Sequence, residues 1–240
     1  MIARELLGTA QIPGGEDLRL ERHDRDFIIM LGRGELMSSR MSGSEQALAT
    51  LACARIAGRA DTHVLIGGYG MGFTLRAALA ALPARARVTV VELVPEIIDW
   101  ACGPMTVLSA GCLDDPRVQV VEGDVAAAIA ASPGAFDAIL LDVDNGPDGL
   151  VREANDAIYC EQGLRAAKAA LRPGGVLAVW SAARDDAFAR RLRRAGLSVE
   201  EVSVPARANG KGAKHIIWFA STSPANHRAR SPEERAHVQR

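Results

Sequence analysis

The chain has 240 residues, 48% of them hydrophobic and 24% charged, with a formal net charge of −1. That length suits one enzyme-sized domain carrying at most a small appendage, and the apolar fraction excludes global disorder. Near-neutrality leaves no electrostatic footprint for nucleic acid or an anionic membrane. The apolar segment Ala47 to Ala57 is interrupted by Arg55, and Met1 to Leu7 contains Arg4 and Glu5, so neither a membrane span nor a secretory signal is expected and the protein is expected to be cytoplasmic. Cys53, Cys102, Cys112 and Cys160 form no C-x-x-C pair and fall in runs that read as buried or helical, which predicts core thiols and no metal or disulfide framework.

In chain order, residues 1–41 read as an N-terminal antiparallel β meander. Leu18 to Arg22 and Phe27 to Leu31 alternate between the turn formers Pro13-Gly14-Gly15 and Gly32-Arg33-Gly34. Ser42 and Glu45 have capping-box spacing and open an Ala/Leu-rich helix to Ala57, closed by Gly58. Strand-length apolar runs follow at His63 to Ile66, Arg87 to Glu92, Val118 to Glu122, Ala138 to Asp142 and Val176 to Trp180, alternating with Ala-rich helical segments. That alternation predicts an α/β domain over 42–220 with a mostly parallel sheet covered on both faces. A helix from Asp185 to Ala195 then leads to strands at Ser198 to Val204 and His215 to Ala220, an antiparallel hairpin at the sheet edge. Residues 221–240 hold too little aliphatic surface to dock and read as a disordered tail.

In such a sheet the ligand lies beyond the carboxyl ends of the strands. After the first of these strands comes Gly67-Gly68-Tyr69-Gly70-Met71-Gly72, where glycines at 68, 70 and 72 allow a tight turn and close backbone approach at a helix N-terminus. The second strand ends at Glu92, with Leu93 beside it, about twenty residues on, a spacing that suits a carboxylate accepting from two ribose hydroxyls. At the third, Asp124 is placed to accept from an adenine amino group with Val125 against the ring, or to cap the helix that follows. The fourth ends in Asp142-Val143-Asp144-Asn145-Gly146-Pro147-Asp148, an acidic loop at the centre of the cleft; packing explains Asp142 and Asp144 poorly, whereas Asp148 reads as part of a turn.

These motifs, with Phe136-Asp137-Ala138-Ile139-Leu140-Leu141-Asp142 and Leu171-Arg172-Pro173-Gly174-Gly175-Val176-Leu177, give the chain a resemblance, over roughly residues 18 to 220, to the spermidine synthase group of class I S-adenosylmethionine-type transferases. The resemblance implies a Rossmann-like class I methyltransferase fold, a homodimer, and S-adenosylmethionine or its decarboxylated form bound by Gly68, Tyr69, Gly70, Gly72, Glu92, Leu93, Asp124, Val125 and Asp142. Asp142 matches the group's catalytic Asp, while Asp144 is offset from its second. Tyr159 resembles the aromatic residue that walls the acceptor pocket. A dinucleotide-dependent dehydrogenase is the competing reading of the glycines, but no further nucleotide signature accompanies them.

Two departures from the group pattern matter. Gly70 stands where the aminopropyltransferases resemble one another in an Asp that holds the donor's amine, which favours the intact, carboxylate-bearing cofactor. Where the group tends to show acidic residues before the first long helix, this chain has Leu36 to Glu45, in which Arg40 is set to repel a polycation and only Glu45 is acidic. Trp180 at a strand end is a candidate to stack on the acceptor. Arg207 and Lys211, near Lys214 and His215, form either a solvated basic turn or a clamp on an acceptor carboxylate or phosphate. The sequence thus favours a methyltransferase on a small amine, carboxylate or hydroxyl acceptor, with Asp142 and Asp144 catalytic. The alternatives are a polyamine aminopropyltransferase and a non-catalytic nucleoside-binding protein.

Overall fold

A computed structural model describes residues 3–143 and 157–222. Strands β1 (Glu5–Gln11), β2 (Asp17–His23), β3 (Asp26–Leu31) and β4 (Gly34–Ser38) form an antiparallel sheet in the order β1-β2-β3-β4. Helix α1 (Gly43–Arg55) leads into β5 (His63–Gly67), α2 (Phe73–Ala81), β6 (Arg87–Glu92), α3 (Pro95–Cys102), α4 (Thr106–Ser109), β7 (Val118–Glu122), α5 (Val125–Ala130) and β8 (Phe136–Leu141). The rest comprises α6 (Glu161–Ala170), β9 (Leu171–Ser181), α7 (Asp186–Arg194), β10 (Ser198–Pro205) and β11 (Lys214–Ser221). The second sheet has seven strands in the order β10-β11-β9-β8-β5-β6-β7. Its strands from β9 to β7 are parallel, and β11 runs antiparallel to both β9 and β10. No helix among the described residues is long and apolar enough to cross a membrane.

The two-residue period of a strand explains why the sheet must be covered twice. Val64, Ile66, Ala138 and Leu140 enter one core with Leu48 of α1, Leu75 of α2, and Leu18, Leu20 and Ile29 of the N-terminal sheet. The alternate residues Leu65, Ile139 and Leu141 enter the other with Leu164 of α6, Phe188 of α7 and Trp218. Each fully buried Leu or Ile contributes about 1.5–3 kcal/mol, so neither face can be left to water. The N-terminal sheet therefore packs against the same face as α1 and α2, above the carboxyl ends of the parallel strands.

Several boundaries differ from the sequence reading. Strand β9 begins at Leu171 and runs through Pro173-Gly174-Gly175, because Leu171 pairs with Phe136 before a register shift. Asp142 lies just beyond β8 instead of ending it. Ser42 makes no side-chain cap bond: its φ of −105° and ψ of −5° are helical, not the extended geometry a cap needs. The first amide of α1, Gly43 N–H, donates instead to Ala206 O at 2.9 Å, and the Glu45 carboxylate is buried. Cys53 and Cys112 are buried, but Cys102, at the end of α3, and Cys160, capping α6, are exposed, so they are not core thiols. The tail lies outside the described residues from 223 onward.

At the amino ends of the parallel strands Asp137, 2% exposed, accepts from Arg59 at 2.9 Å, from Arg172 at 2.7 Å and from His63 N–H at 2.9 Å. One carboxylate thus ties the starts of β5, β8 and β9 into the register that aligns their far ends. Asp137→Ala leaves two guanidinium groups without their acceptor and is expected to lower unfolding free energy by roughly 3 kcal/mol in urea titrations. A loss below about 1 kcal/mol, the surface ion-pair scale, would show that the tie carries no register.

Candidate active site

Strand order reverses between β5 and β8: from β5 the chain proceeds outward to β6 and β7, then returns to the other side. The loops after β5 and β8 therefore diverge, and a cavity of about 300 Å³ opens there. Gly68 has a φ of +83°, and a Cβ on it would stand 2.7 Å from Asp142 O, so only glycine lets the two loops meet. Gly70 has a φ of +55°, and the space a Cβ would take is occupied by the Met37 thioether, with Cε at 2.7 Å.

Of the residues expected from the sequence, Gly68, Gly70, Glu92, Leu93, Asp124, Val125, Asp142 and Trp180 line this cavity. Glu92 accepts from Tyr69 N–H at 2.8 Å through one oxygen and from Val94 N–H at 2.9 Å through the other. The backbone amides of Leu93 and Gly70 also favour its ionised form. Burial pushes the Glu92 pKa up, against those backbone hydrogen bonds. Asp124 caps α5 through Ala126 N–H at 2.7 Å, so one carboxylate oxygen does the capping that the sequence offered as an alternative, and the other is left for the cavity. A nucleoside fits this set: a glycine turn, a fixed carboxylate after β6, and an acid beside an apolar side chain after β7.

Other expectations are corrected. Tyr69 turns its ring into the core, its hydroxyl beneath Gly72, and meets the site only through its backbone; Gly72 serves as the left-handed entry to α2. Neither lines the cavity. Tyr159 is buried edge-on to Phe188, with its hydroxyl donating to Val143 O at 3.5 Å. It braces the segment after Asp142 instead of walling the pocket. Arg207 and Lys211 are exposed in the β10–β11 loop and do not reach the cavity, because that loop turns its backbone toward α1. Arg40 points away as well, paired with Asp26 at 2.7 Å. Asp144 and Asp148 lie outside the described residues.

The structure adds residues that the sequence reading did not assign to the site. Glu45, buried on the first turn of α1, and His215 of β11 both line the cavity. Ser44 Oγ lies 2.8 Å from Glu45 Oε2 and 2.9 Å from His215 Nδ1. Thr74 Oγ1 donates to Asp142 Oδ2 at 2.6 Å. Leu36, Met37 and Met41 join Ile12, Leu18 and Ile29 in an apolar wall. Trp180 stands edge-on to His215 at 4.8 Å between centroids, and its Nε1–H is buried without a partner. Glu35, Glu45, Glu92, Asp124 and Asp142 put five carboxylates on the cavity, and no Lys or Arg lines it among the described residues.

A family model described as spermine/spermidine synthase domain matches residues 47–184. Polyamine aminopropyltransferase 2 of Pseudomonas aeruginosa is 30% identical over 163 residues, covering 66% of this chain and 44% of that protein. Putrescine N-methyltransferase 4 of Nicotiana tabacum is 37% identical over 115 residues, covering 48% and 28%. The chain thus spans under half the length of these curated relatives. Spermidine synthase from Thermotoga maritima superimposes with a TM-score of 0.73 at 19% identity, over 98% of this chain and 79% of that one.

Burial raises the pKa of Glu45, and the nearby Asp142 charge raises it further; burial also raises that of Asp142, against the Thr74 hydrogen bond. A carboxyl whose folded pKa exceeds its unfolded value stabilises the fold at low pH, and that stability is lost as pH rises through the folded pKa. Glu45→Gln removes this penalty, so its Tm is expected to exceed that of the wild type by a margin that widens from acid to mildly alkaline pH. A variant that is less stable at every pH would show that Glu45 is not held against its desolvation.

Proposed function

Because this chain belongs to the spermine/spermidine synthase family, we propose that it is an alkyltransferase that moves the aminopropyl group of decarboxylated S-adenosylmethionine onto an amine acceptor. The observation that carries this reading is the cavity's lining: five acidic side chains and, among the described residues, no Lys or Arg. Decarboxylated donor and amine acceptor are both cations and suit such a wall, whereas the carboxylate of the intact donor meets only like charge. Arg40 does not oppose a polyamine, since its guanidinium is paired with Asp26 outside the cavity.

The donor is held, in this reading, by the glycine turn, by Glu92 at the ribose, and by Asp124 with Val125 at the base. When bound, it supplies a sulfonium whose adjacent carbon accepts the amine's lone pair, the C–N bond forming as the C–S bond breaks and sulfur keeps the electron pair. The chain's own work is positioning and proton acceptance. Thr74 fixes one oxygen of Asp142 and leaves the other to orient the amine. Glu45, its pKa lifted by burial and by Asp142, is suited to take the ammonium proton near neutral pH. The apolar wall of Ile12, Leu18, Ile29, Leu36, Met37 and Met41 receives the acceptor's methylene chain.

Methyl transfer from intact S-adenosylmethionine is the second reading, favoured by Gly70. No carboxylate projects from that position, and Met37 fills the space.

Calorimetric titration separates the two. Decarboxylated S-adenosylmethionine is expected to bind roughly tenfold or more tightly than the intact form, ~1.4 kcal/mol, and Gly70→Asp to widen that preference. Tighter binding of the intact donor would put methyl transfer first. Asp142→Asn is expected to keep donor affinity while cutting turnover about a hundredfold, and a variant that turns over normally would misplace the acceptor site.

A further inference from the structure

Glu45 has a route for its proton that the proposed reaction does not by itself require. Its Oε2 lies 2.8 Å from Ser44 Oγ, which lies 2.9 Å from His215 Nδ1. Ser44 is wholly buried, so its hydroxyl has these two partners in place of water. Glu45 and His215 both border the cavity, and His215 is only partly buried. Its Nε2 has no hydrogen-bond partner among the described residues. The three groups come from the first turn of α1 and the start of β11, 171 residues apart in sequence, and are brought together where Gly43 N–H binds Ala206 O.

We propose that Glu45, Ser44 and His215 form a proton outlet that carries the acceptor amine's proton away from the reacting centre to water. This rests on the amine-alkylation reading above. With His215 carrying its proton on Nε2, the ammonium gives a proton to Glu45 and exposes its lone pair. Glu45 passes a proton to Ser44 Oγ as Ser44 passes its own to His215 Nδ1, and the imidazolium releases the Nε2 proton to water. One proton leaves, every group ends at its original charge, and the chain finishes with Nδ1–H donating to Ser44 and Ser44 donating to the carboxylate. Solvent exchange between the two imidazole tautomers resets it.

Burial lowers the His215 pKa, so the imidazolium, once formed by the relay, gives its proton up readily. The charged or titratable groups around the relay are Glu45 on α1, Asp142 after β8, and Lys214, exposed beside His215 on β11. The face of β9 contributes Trp180, whose ring packs edge-on to the imidazole and carries no charge. Asp142 is thus the one further carboxylate coupled to the relay through Glu45.

The test reads the relay without relying on turnover. In the full chain, the imidazole 15N shifts of His215 are followed against pH in wild type, Glu45→Gln, Ser44→Ala and Ser44→Thr. Wild type is expected to show, besides the imidazole's own titration, an inflection from Glu45. Glu45→Gln and Ser44→Ala should each abolish it, and Ser44→Thr should restore it. In steady-state assays with a diamine acceptor, Ser44→Ala should lower kcat about tenfold or more, with acceptor KM changed less than about twofold, and recover with Ser44→Thr. His215→Gln, at a partly exposed position, should lose a similar factor and regain it with added imidazole. An inflection that survives Ser44→Ala, or an unaltered kcat and pH profile in that variant, would overturn the outlet. Wild type that turns over neither donor while keeping the shared inflection would overturn the alkyltransfer reading and leave the relay standing.

Discussion

The acidic lining of the cavity, with no Lys or Arg beside it among the described residues, is the constraint that organises the site. At the opposite end of the same strands the protein handles a buried carboxylate in the ordinary way, giving Asp137 two arginines and a backbone amide. At the carboxyl ends the described residues place no Lys or Arg on the cavity and supply dipoles: the N–H groups of Tyr69 and Val94 for Glu92, Ala126 N–H for Asp124, and the hydroxyls of Thr74 and Ser44 for Asp142 and Glu45. A hydrogen-bond donor fixes where a carboxylate sits without cancelling its charge. The sheet therefore has unlike ends, with an ion-paired base that holds register and an acidic rim fixed by hydrogen bonds from backbone amides and hydroxyls.

Topology decides which residues share that rim. The reversal of strand order between β5 and β8 opens the cavity, and the glycine at 68 lets the two loops touch across it. The helices that cover the sheet then deliver side chains from far along the chain. Thr74 comes from the start of α2, Glu45 from the start of α1, and His215 from the edge hairpin. Because α1 begins where the β10–β11 loop ends, the backbone bond between Gly43 and Ala206 sets the spacing of Ser44 and His215 as well as the docking of the helix.

The parallel strands and their loop residues were readable because each of the first four strands of the series is bounded by glycines or acids at its carboxyl end. Gly68, Glu92, Asp124 and Asp142 follow directly from that rule. The missed residues follow other rules. Glu45 has the spacing of a capping box, and that local pattern disguised a carboxylate that tertiary packing turns inward. His215 was grouped with Arg207 and Lys211 by charge, although alternation along β11 sets it on the same face as Ile217 and Phe219, over α1. Tyr159 was placed by resemblance, and the second core claimed it because Phe188 and Trp218 lie on that side of the sheet. Arg40 was read as a charge facing the ligand, and Asp26 shows that its direction, which a sequence does not state, decides its effect.

The apolar wall of the cavity has a consequence for how this protein diverges from its kin. The family model matches residues 47–184, which contain the glycine turn, Glu92, Asp124 and Asp142. Ile12, Leu18, Ile29, Leu36, Met37, Met41, Ser44, Glu45 and His215 all fall outside it. The glycine-turn side of the cavity thus falls within the matched block, and its apolar wall, with Glu45 and His215, is assembled from the chain's two flanks. Change in those flanks can reshape the apolar wall without disturbing the block by which the family is recognised, and because relatives named for aminopropyl transfer and for methyl transfer both match this chain, likeness to the family does not by itself decide which group is moved.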